Sequence, residues 1–378
     1  MQDFILKEIV TDKIVEELEK IGFDKSYRER AQAKFRYKNI KIYSLNTAQA
    51  NILKQTALSV GADCATHRET ITGKTETTDC ILGGSVSCLL KISEKLKSQP
   101  FSLKILGEKI AGMAVLKKSA KTKIVGILNI TPDSFSDGGE FLDFDKAKAH
   151  LNYMIENGAD IIDIGAESTR PGATPVFAET QIARLLPLLK FIKSENINIP
   201  ISIDTRSAEV AKACIDAGAS IINDVSGLVC DNDMAKVIAQ TGAKVILQHS
   251  KGTPENMQDN PLYENLIDEI YLDLRKKVEI AVSGGIRIEN IIVDPGIGFG
   301  KTRDDNFEII RRIEEFYGLG CEVMLGLSRK SLLNMPSVEN DIKDIFTVAL
   351  NTLAVEKKVD YIRVHNVKLH KMLLEVLG

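Results

Sequence analysis

No stretch of this 378-residue chain approaches the ~18 consecutive apolar residues that cross a bilayer, which removes a membrane-spanning role. Cysteine is sparse and scattered. Cys64, Cys80, Cys88, Cys214, Cys230 and Cys321 form no CxxC pair and no metal-finger spacing. Several stand on apolar helical faces, where a free thiol acts as a small hydrophobe, so a reducing cytosol is the expected setting. Charge of one sign is lacking too. The 49 Lys and Arg against 52 Asp and Glu leave a net charge of -3, and the basic residues are interleaved with acidic ones. Without a concentrated basic face there is no nucleic-acid partner to expect. The first residues, MQDFILKEIVTDKIVEEL, read as an acidic amphipathic helix and lack the basic-then-apolar form of a signal peptide. A cytoplasmic protein is the expectation, with no membrane partner.

What is present, from Lys123 onward, is one plan repeated. A short apolar run gives way to a polar segment, then an amphipathic helix, then often a glycine. The strand readings are 123–129, 159–166, 200–205, 220–226, 244–249, 290–296, 322–328 and 361–365. Helices at 143–158, 207–218 and 231–242 end in Asn-Gly, Ala-Gly and Thr-Gly, a usual helix stop. The runs are near-continuous rather than alternating, the mark of a parallel sheet buried on both faces. Eight such units over the last part of the chain match a (β/α)8 barrel, typically ~250 residues long. An open doubly wound sheet is the competing fold.

Residues 1–120 have a different texture. Helices are expected at 11–22, 46–60 and 86–98, strands at 34–44, 79–83 and 102–106, and an exposed connection at 66–79. This reads as a small appended α/β region, joined to the barrel (121–378) near Lys117–Lys123. It carries no catalytic constellation.

Barrel active sites lie at the C-terminal ends of the strands. The polar residues there are Asn129, then Glu167, Thr169 and Arg170, then Asp204, Asn223 and Asp224, and His249. Asp294, the run Ser328-Arg329-Lys330, and Arg363 with His365 complete them. Any one could cap a helix or form a turn, as Asp204 in DTRSAEV would. Polar groups at nearly all eight ends exceed that need. Asp204, Asn223 and Asp294 offer acceptors to a heterocycle edge rich in N–H, and Lys330 a donor. Arg363 and His365 lead into the last helix, whose N-terminus favours an anion such as phosphate. Asn129 could help hold Mg²⁺, a hard cation that keeps most of its waters. After Asn129 and Ile130 comes TPDSFSDGG, longer than an ordinary βα connection. It reads as a surface loop with turn chemistry or as a flap hinged at Gly138-Gly139. DPGIGFGKT (294–302) looks like a GxxxxGK[ST] phosphate loop, but Pro295 stands where its first glycine must be, so that reading is rejected.

These residues closely resemble dihydropteroate synthase, of the pterin-binding barrel superfamily. GILNITPDSFSDGG (126–139), AESTRPGA (166–173), VDPGIGFGKT (293–302) and LGLSRKSLL (325–333) carry the resemblance. ISIDTRSAEVA (201–211), INDVSG (222–227) and RVHNV (363–367) support it. It covers the barrel and not residues 1–120. The resemblance implies a transferase of folate biosynthesis. A (7,8-dihydropterin-6-yl)methyl diphosphate condenses with 4-aminobenzoate to 7,8-dihydropteroate and pyrophosphate, with Mg²⁺ as cofactor. It assigns Asp204, Asn223, Asp294 and Lys330 to the pterin, and Asn129, Arg363 and His365 to the diphosphate, with the metal beside Asn129. Thr169, Arg170, Phe135, Pro132, Phe299 and Ser331 would form the 4-aminobenzoate pocket, while Arg363, His365 and Lys330 carry catalysis. Family habit implies a homodimer. Two departures stand out: Ser250-Lys251 where Met and Gln are usual after His249, and Asn366 where Asp is usual. A methyltetrahydrofolate:corrinoid methyltransferase is the alternative enzyme, and a silent binding barrel the alternative class. The TRPG and SRK motifs weigh against the first, and the full set of strand-end ligands against the second.

Overall fold

The computed structural model describes residues 5–9, 13–115, 121–130, 140–167, 176–252, 261–330 and 338–378. The chain divides into two compact units, Met1–Lys117 and Lys118–Gly378.

In the first unit a three-stranded antiparallel sheet carries strands β1 (Tyr37–Asn46), β2 (Asp63–Ala65) and β3 (Thr77–Ser85) in the order β1-β3-β2. Helices α1 (Ile14–Lys20), α2 (Arg28–Phe35), α3 (Thr47–Leu58), α4 (Val86–Leu96) and α5 (Leu103–Val115) accompany it. The Asn46 side chain caps α3 and shares a reciprocal pair of hydrogen bonds with Gln49, while Ser85 caps α4. Alternate residues of β1 and β3, including Ile40, Ile42, Cys80 and Leu82, join Leu53, Leu89 and Ile110 in one buried core. The strand expected at 102–106 is instead the start of α5. Buried Leu103, Gly107, Ile110 and Ala114 recur at helical spacing, and a Cβ on Gly107 would lie 2.8 Å from the Ser93 carbonyl oxygen. Close crossing of two helices, rather than strand pairing, decides that segment. Residues 66–79 form the exposed connection expected, with Thr70 and Thr78 buried within it and β3 beginning at Thr77.

The second unit is a closed parallel barrel. Its strands are β4 (Lys123–Asn129), β5 (Ile161–Gly165), β6 (Ile201–Asp204), β7 (Ile221–Asp224), β8 (Lys244–Gln248), β9 (Ile291–Asp294), β10 (Glu322–Leu325) and β11 (Tyr361–Val364). Between them run α6 (Glu140–Glu156), α7 (Ala178–Ser194), α8 (Ala208–Asp216), α9 (Met234–Thr241), α10 (Leu266–Ser283), α11 (Arg303–Arg311) and α12 (Asn340–Glu356), and α13 (Val367–Leu377) follows β11. All eight strand readings and the three helix readings of the sequence correspond to these elements. Val125, Ile161, Ile221, Ile246, Ile292, Met324 and Tyr361, one from each strand but β6, pack together in the barrel interior. Because side chains alternate along a strand, the residues two further on face the same interior, nearer the C-terminal end. That next layer is Ile127, Asp163, Asp204, Asn223, Gln248, Asp294, Gly326 and Arg363. An apolar floor therefore supports a mostly polar ring.

Candidate active site

Burial and pairing within the ring follow from its chemistry. Asp163, Asp204, Asn223, Gln248 and Asp294 are all buried. The Arg363 guanidinium reaches across to two of them: Nε donates to Asp163 Oδ2 at 2.6 Å, and a terminal nitrogen donates to Asp204 Oδ2 at 3.0 Å. Asn223 Nδ2 donates to Asp163 Oδ2 at 3.0 Å. Each pair leaves an atom over. Among the described residues, Asp163 Oδ1, Asp204 Oδ1, Asn223 Oδ1 and Gln248 Nε2 are buried without a hydrogen-bond partner. Buried polar atoms are nearly always satisfied, so several orphans at one level of one barrel mark a place built for a ligand. Glycines keep the space open. A Cβ on Gly326 would lie 3.4 Å from Asp294 Oδ2 and 3.7 Å from the Arg363 Cβ, and one on Gly165 would lie 3.2 Å from Asn129 Oδ1.

Electrostatics follow from taking these charges out of water. Burial raises the Asp204 carboxyl to about 7, against the pull of Arg363. Asp294 is raised by burial as well, with Lys330 and the Gly296 N–H opposing. Lys330 is pushed down to about 8 by burial, Asp294 opposing and Arg363 adding to the fall. For Arg363, burial works against the charge, but Asp163 and Asp204 outweigh it and raise the pKa. The ring therefore holds Arg363 and Lys330 beside two carboxyls, Asp204 and Asp294, that ionise reluctantly.

The loop after β9 is the phosphate-loop look-alike, and its geometry has another purpose. Gly296, Gly298 and Gly300 adopt positive φ. The Gly296 N–H donates to Asp294 Oδ1 at 2.7 Å, and a Cβ there would lie 1.9 Å from the His249 carbonyl oxygen. Lys301, buried, turns sideways to His249 Nδ1 at 2.8 Å and to the Phe299 carbonyl at 2.9 Å. Thr302 then caps α11. The lysine that a nucleotide-binding loop would aim at phosphates is a buried strut here, its pKa well lowered by burial. Lys330 joins the same loop: its Nζ donates to the Ile297 carbonyl at 2.7 Å and lies 4.5 Å from the Phe299 ring centre.

Other sequence readings sort as follows. Asp204 does not cap α8, which is capped by Ser207. Asp224 accepts from the Ser226 N–H, the Ser226 hydroxyl and the Leu228 N–H, and so shapes its own turn. Glu167 accepts from Arg206 at 3.0 Å and from the Val176 N–H at 3.2 Å, fastening β5's exit. His249 was the strand-end group expected on β8, but the pleat turns Gln248 inward and sends His249 outward to Lys301. The structure brings His365 to Ser328, with Nδ1 to Oγ at 2.9 Å, and brings Arg363 to the carboxylates rather than to His365. Thr169, Arg170, Pro132, Phe135, Ser331 and the glycine pair 138–139 lie outside the described residues. Asp163 and Gln248 were missed because the reading stopped at the last polar residue of each strand. Counting back in twos from Glu167 reaches Asp163, and Gln248 stands one residue before His249, on the other face of the pleat.

The two departures have local explanations. Lys251 lies 4.0 Å from the Tyr263 ring centre and binds the Leu262 carbonyl and Glu269. Asn366 caps α13 through the Leu369 N–H and donates to Asp344 Oδ2 at 3.2 Å, a carboxylate already held by two bonds from Arg329.

Among the described residues no three His, Cys, Asp or Glu side chains come together as metal ligands. The half-buried Asn129 amide oxygen could serve as one ligand to a hard cation completed by other oxygens and water.

A polar ring inside a (β/α)8 barrel, rich in orphaned acceptors, defines a binder of donor-rich heterocycles, and the family comparison agrees. The chain belongs to the pterin binding enzymes, whose family model matches residues 125–365. Its relatives place it among the dihydropteroate synthases. That of Clostridium beijerinckii is 48% identical over 252 residues, covering 65% of this chain and 90% of the relative. A probable bifunctional folylpolyglutamate synthase/dihydropteroate synthase of Haloferax volcanii is 35% identical over 364 residues, covering 90% of this chain but 43% of that longer protein. A crystal structure of dihydropteroate synthase from Anaplasma phagocytophilum with bound 6-hydroxymethylpterin-monophosphate aligns with a TM-score of 0.62 at 41% identity, covering 68% of this chain and 98% of that one.

Proposed function

We propose that the barrel joins a (7,8-dihydropterin-6-yl)methyl diphosphate to 4-aminobenzoate, releasing 7,8-dihydropteroate and pyrophosphate in folate biosynthesis. The observation that carries this reading is the ring of buried acceptors, Asp204 Oδ1 and Asn223 Oδ1 beside Asp294, opposite the ammonium of Lys330. Such a set complements the amino and ring N–H groups of a pterin on one side and an acceptor on the other.

The reaction breaks the C–O bond to the diphosphate and forms a C–N bond from the amine, which gives up a proton. No covalent nucleophile is required. The residues bind and orient. Asp204, Asn223, Asp294 and Lys330 fix the ring. Arg363, beside them, can move from its carboxylates toward departing pyrophosphate, with His365 and Asn129 near the rim. Stabilising charge on a leaving group is electrostatic work, worth ~10²–10³ in rate per group. When bound beside Asn129, Mg²⁺ supplies further neutralisation of the diphosphate. Phe299, over Lys330, bounds the side where the amine enters, with Thr169, Arg170, Phe135, Pro132 and Ser331 proposed to complete its pocket.

We further propose a cytoplasmic homodimer. Six free cysteines support the first. Ile345 and Leu353 of α12 with Met372 and Val376 of α13, all exposed, support the second.

Pyrophosphate release from the dihydropterin diphosphate tests the function. Release should require 4-aminobenzoate and Mg²⁺ and stop with EDTA. Pterin binding without any release under these conditions would sink the synthase reading and favour the methyltransferase one.

A further inference from the structure

One amide of the polar ring has no assigned role. Gln248 ends β8, is 4% exposed, and its Nε2 has no hydrogen-bond partner among the described residues. Its register partner on β9 is Asp294. Its Cγ lies 3.2 Å from where a Cβ on Gly296 would sit, so the side chain stands against the loop whose N–H holds Asp294 Oδ1. The position faces the barrel interior, between Asn223 of β7 and Asp294 of β9. A buried N–H without an acceptor destabilises a fold, so a protein that keeps one has a use for it.

The neighbouring orphans decide what that use is. Asp163 Oδ1, Asp204 Oδ1 and Asn223 Oδ1 are acceptors, whereas Gln248 Nε2 is a donor. A ligand that satisfies all of them must present N–H groups on one edge and an acceptor near Asp294. A 2-amino-4-oxo heterocycle has both. We propose that Gln248 is a specificity-determining residue of the pterin site, donating from Nε2 to an acceptor atom of the heterocycle. The inference rests on the pterin reading above and adds a residue to it. Heterocycles with an N–H at that point would set donor against donor and be rejected.

The test is binding of 6-hydroxymethylpterin to the full chain, read by pterin fluorescence, which the absence of tryptophan leaves free of overlapping protein emission. Gln248→Leu keeps the bulk and removes the donor. Its dissociation constant should rise about 10- to 100-fold, while its ligand-free melting temperature stays level or rises, because an unsatisfied group has gone. The KM for 4-aminobenzoate should not move. Gln248→Glu, which offers an acceptor and a charge instead, should bind worse than Gln248→Leu. Tight binding by Gln248→Leu would overturn the inference. So would a fall of several degrees in the ligand-free melting temperature of both variants, which would make Gln248 a structural residue. Absence of pterin binding by the unaltered chain would instead overturn the pterin reading on which this rests.

Discussion

Lys330 shows how much a single burial decides. Its ammonium is held at about 8 rather than 10.5, so the charge that faces Asp294 is lost within two units above neutrality. The kcat/KM for the pterin diphosphate should therefore fall as pH rises through about 8, approaching tenfold per unit if only the ammonium form binds. Stability responds with the opposite sign. Between about 8 and 10.5 the unfolded chain holds this proton and the folded one does not, so the group makes stability rise with pH in that window. Lys330→Arg, always charged, should abolish the alkaline fall in kcat/KM even at lower overall activity. An unchanged alkaline limb in that variant would assign it to another group. This pKa is not legible in the sequence. The SRK motif names the residue, but only the packing reveals that Ile297, Phe299 and Arg363 surround it.

At the scale of elements, the sequence discloses what repeats and conceals what crosses. Eight apolar runs and their glycine stops sufficed for the barrel, since each strand and helix is specified locally. The α5 misreading came from FSLKI, whose short apolar stretch has no period of its own; the helix is fixed by contact of Gly107 with Ser93 of α4. The junction between β10's exit and α13 is likewise invisible in one dimension. There Asp344 of α12 binds Arg329 at 2.7 Å through both oxygens and accepts from Asn366, tying the strand that delivers Lys330 to the one that delivers His365. A neutral amide fits beside that carboxylate, and a second carboxylate would not. Asn366→Asp should thus destabilise the protein by about 1–2 kcal/mol at pH 7, from the lost hydrogen bond and the like charge. Part of the loss should return near pH 4, where the new pair shares a proton: the folded state then binds more protons than the unfolded one, so stability rises as pH falls. Urea melts at the two pH values check this. Equal losses at both would show that charge is not the cause.

For the molecule as a whole, the two units stand in different relations to the known proteins. Residues 118–378 form about 69% of the chain, close to the 65% and 68% covered by the C. beijerinckii and A. phagocytophilum enzymes, which are themselves covered over 90% and 98% of their lengths. The H. volcanii alignment takes in 90% of this chain, more than the second unit, and so must include part of the first. Part of the first unit is thus aligned with a relative of double name, while the C. beijerinckii and A. phagocytophilum alignments are no longer than the second unit. Each unit also owns a buried core, Ile40 to Ala114 in one and the barrel interior in the other, which is the physical condition for folding alone. Residues 118–378 expressed by themselves should therefore melt cooperatively, bind 6-hydroxymethylpterin with the affinity of the full chain, and release pyrophosphate within about threefold of its rate, a change below 1 kcal/mol. Sedimentation of this barrel should give twice the monomer mass, since the apolar residues of α12 and α13 belong to it. A barrel that folds and binds pterin but runs tenfold slower would give the first unit a part in catalysis. A folded barrel sedimenting as a monomer would remove α12 and α13 as the dimer contact.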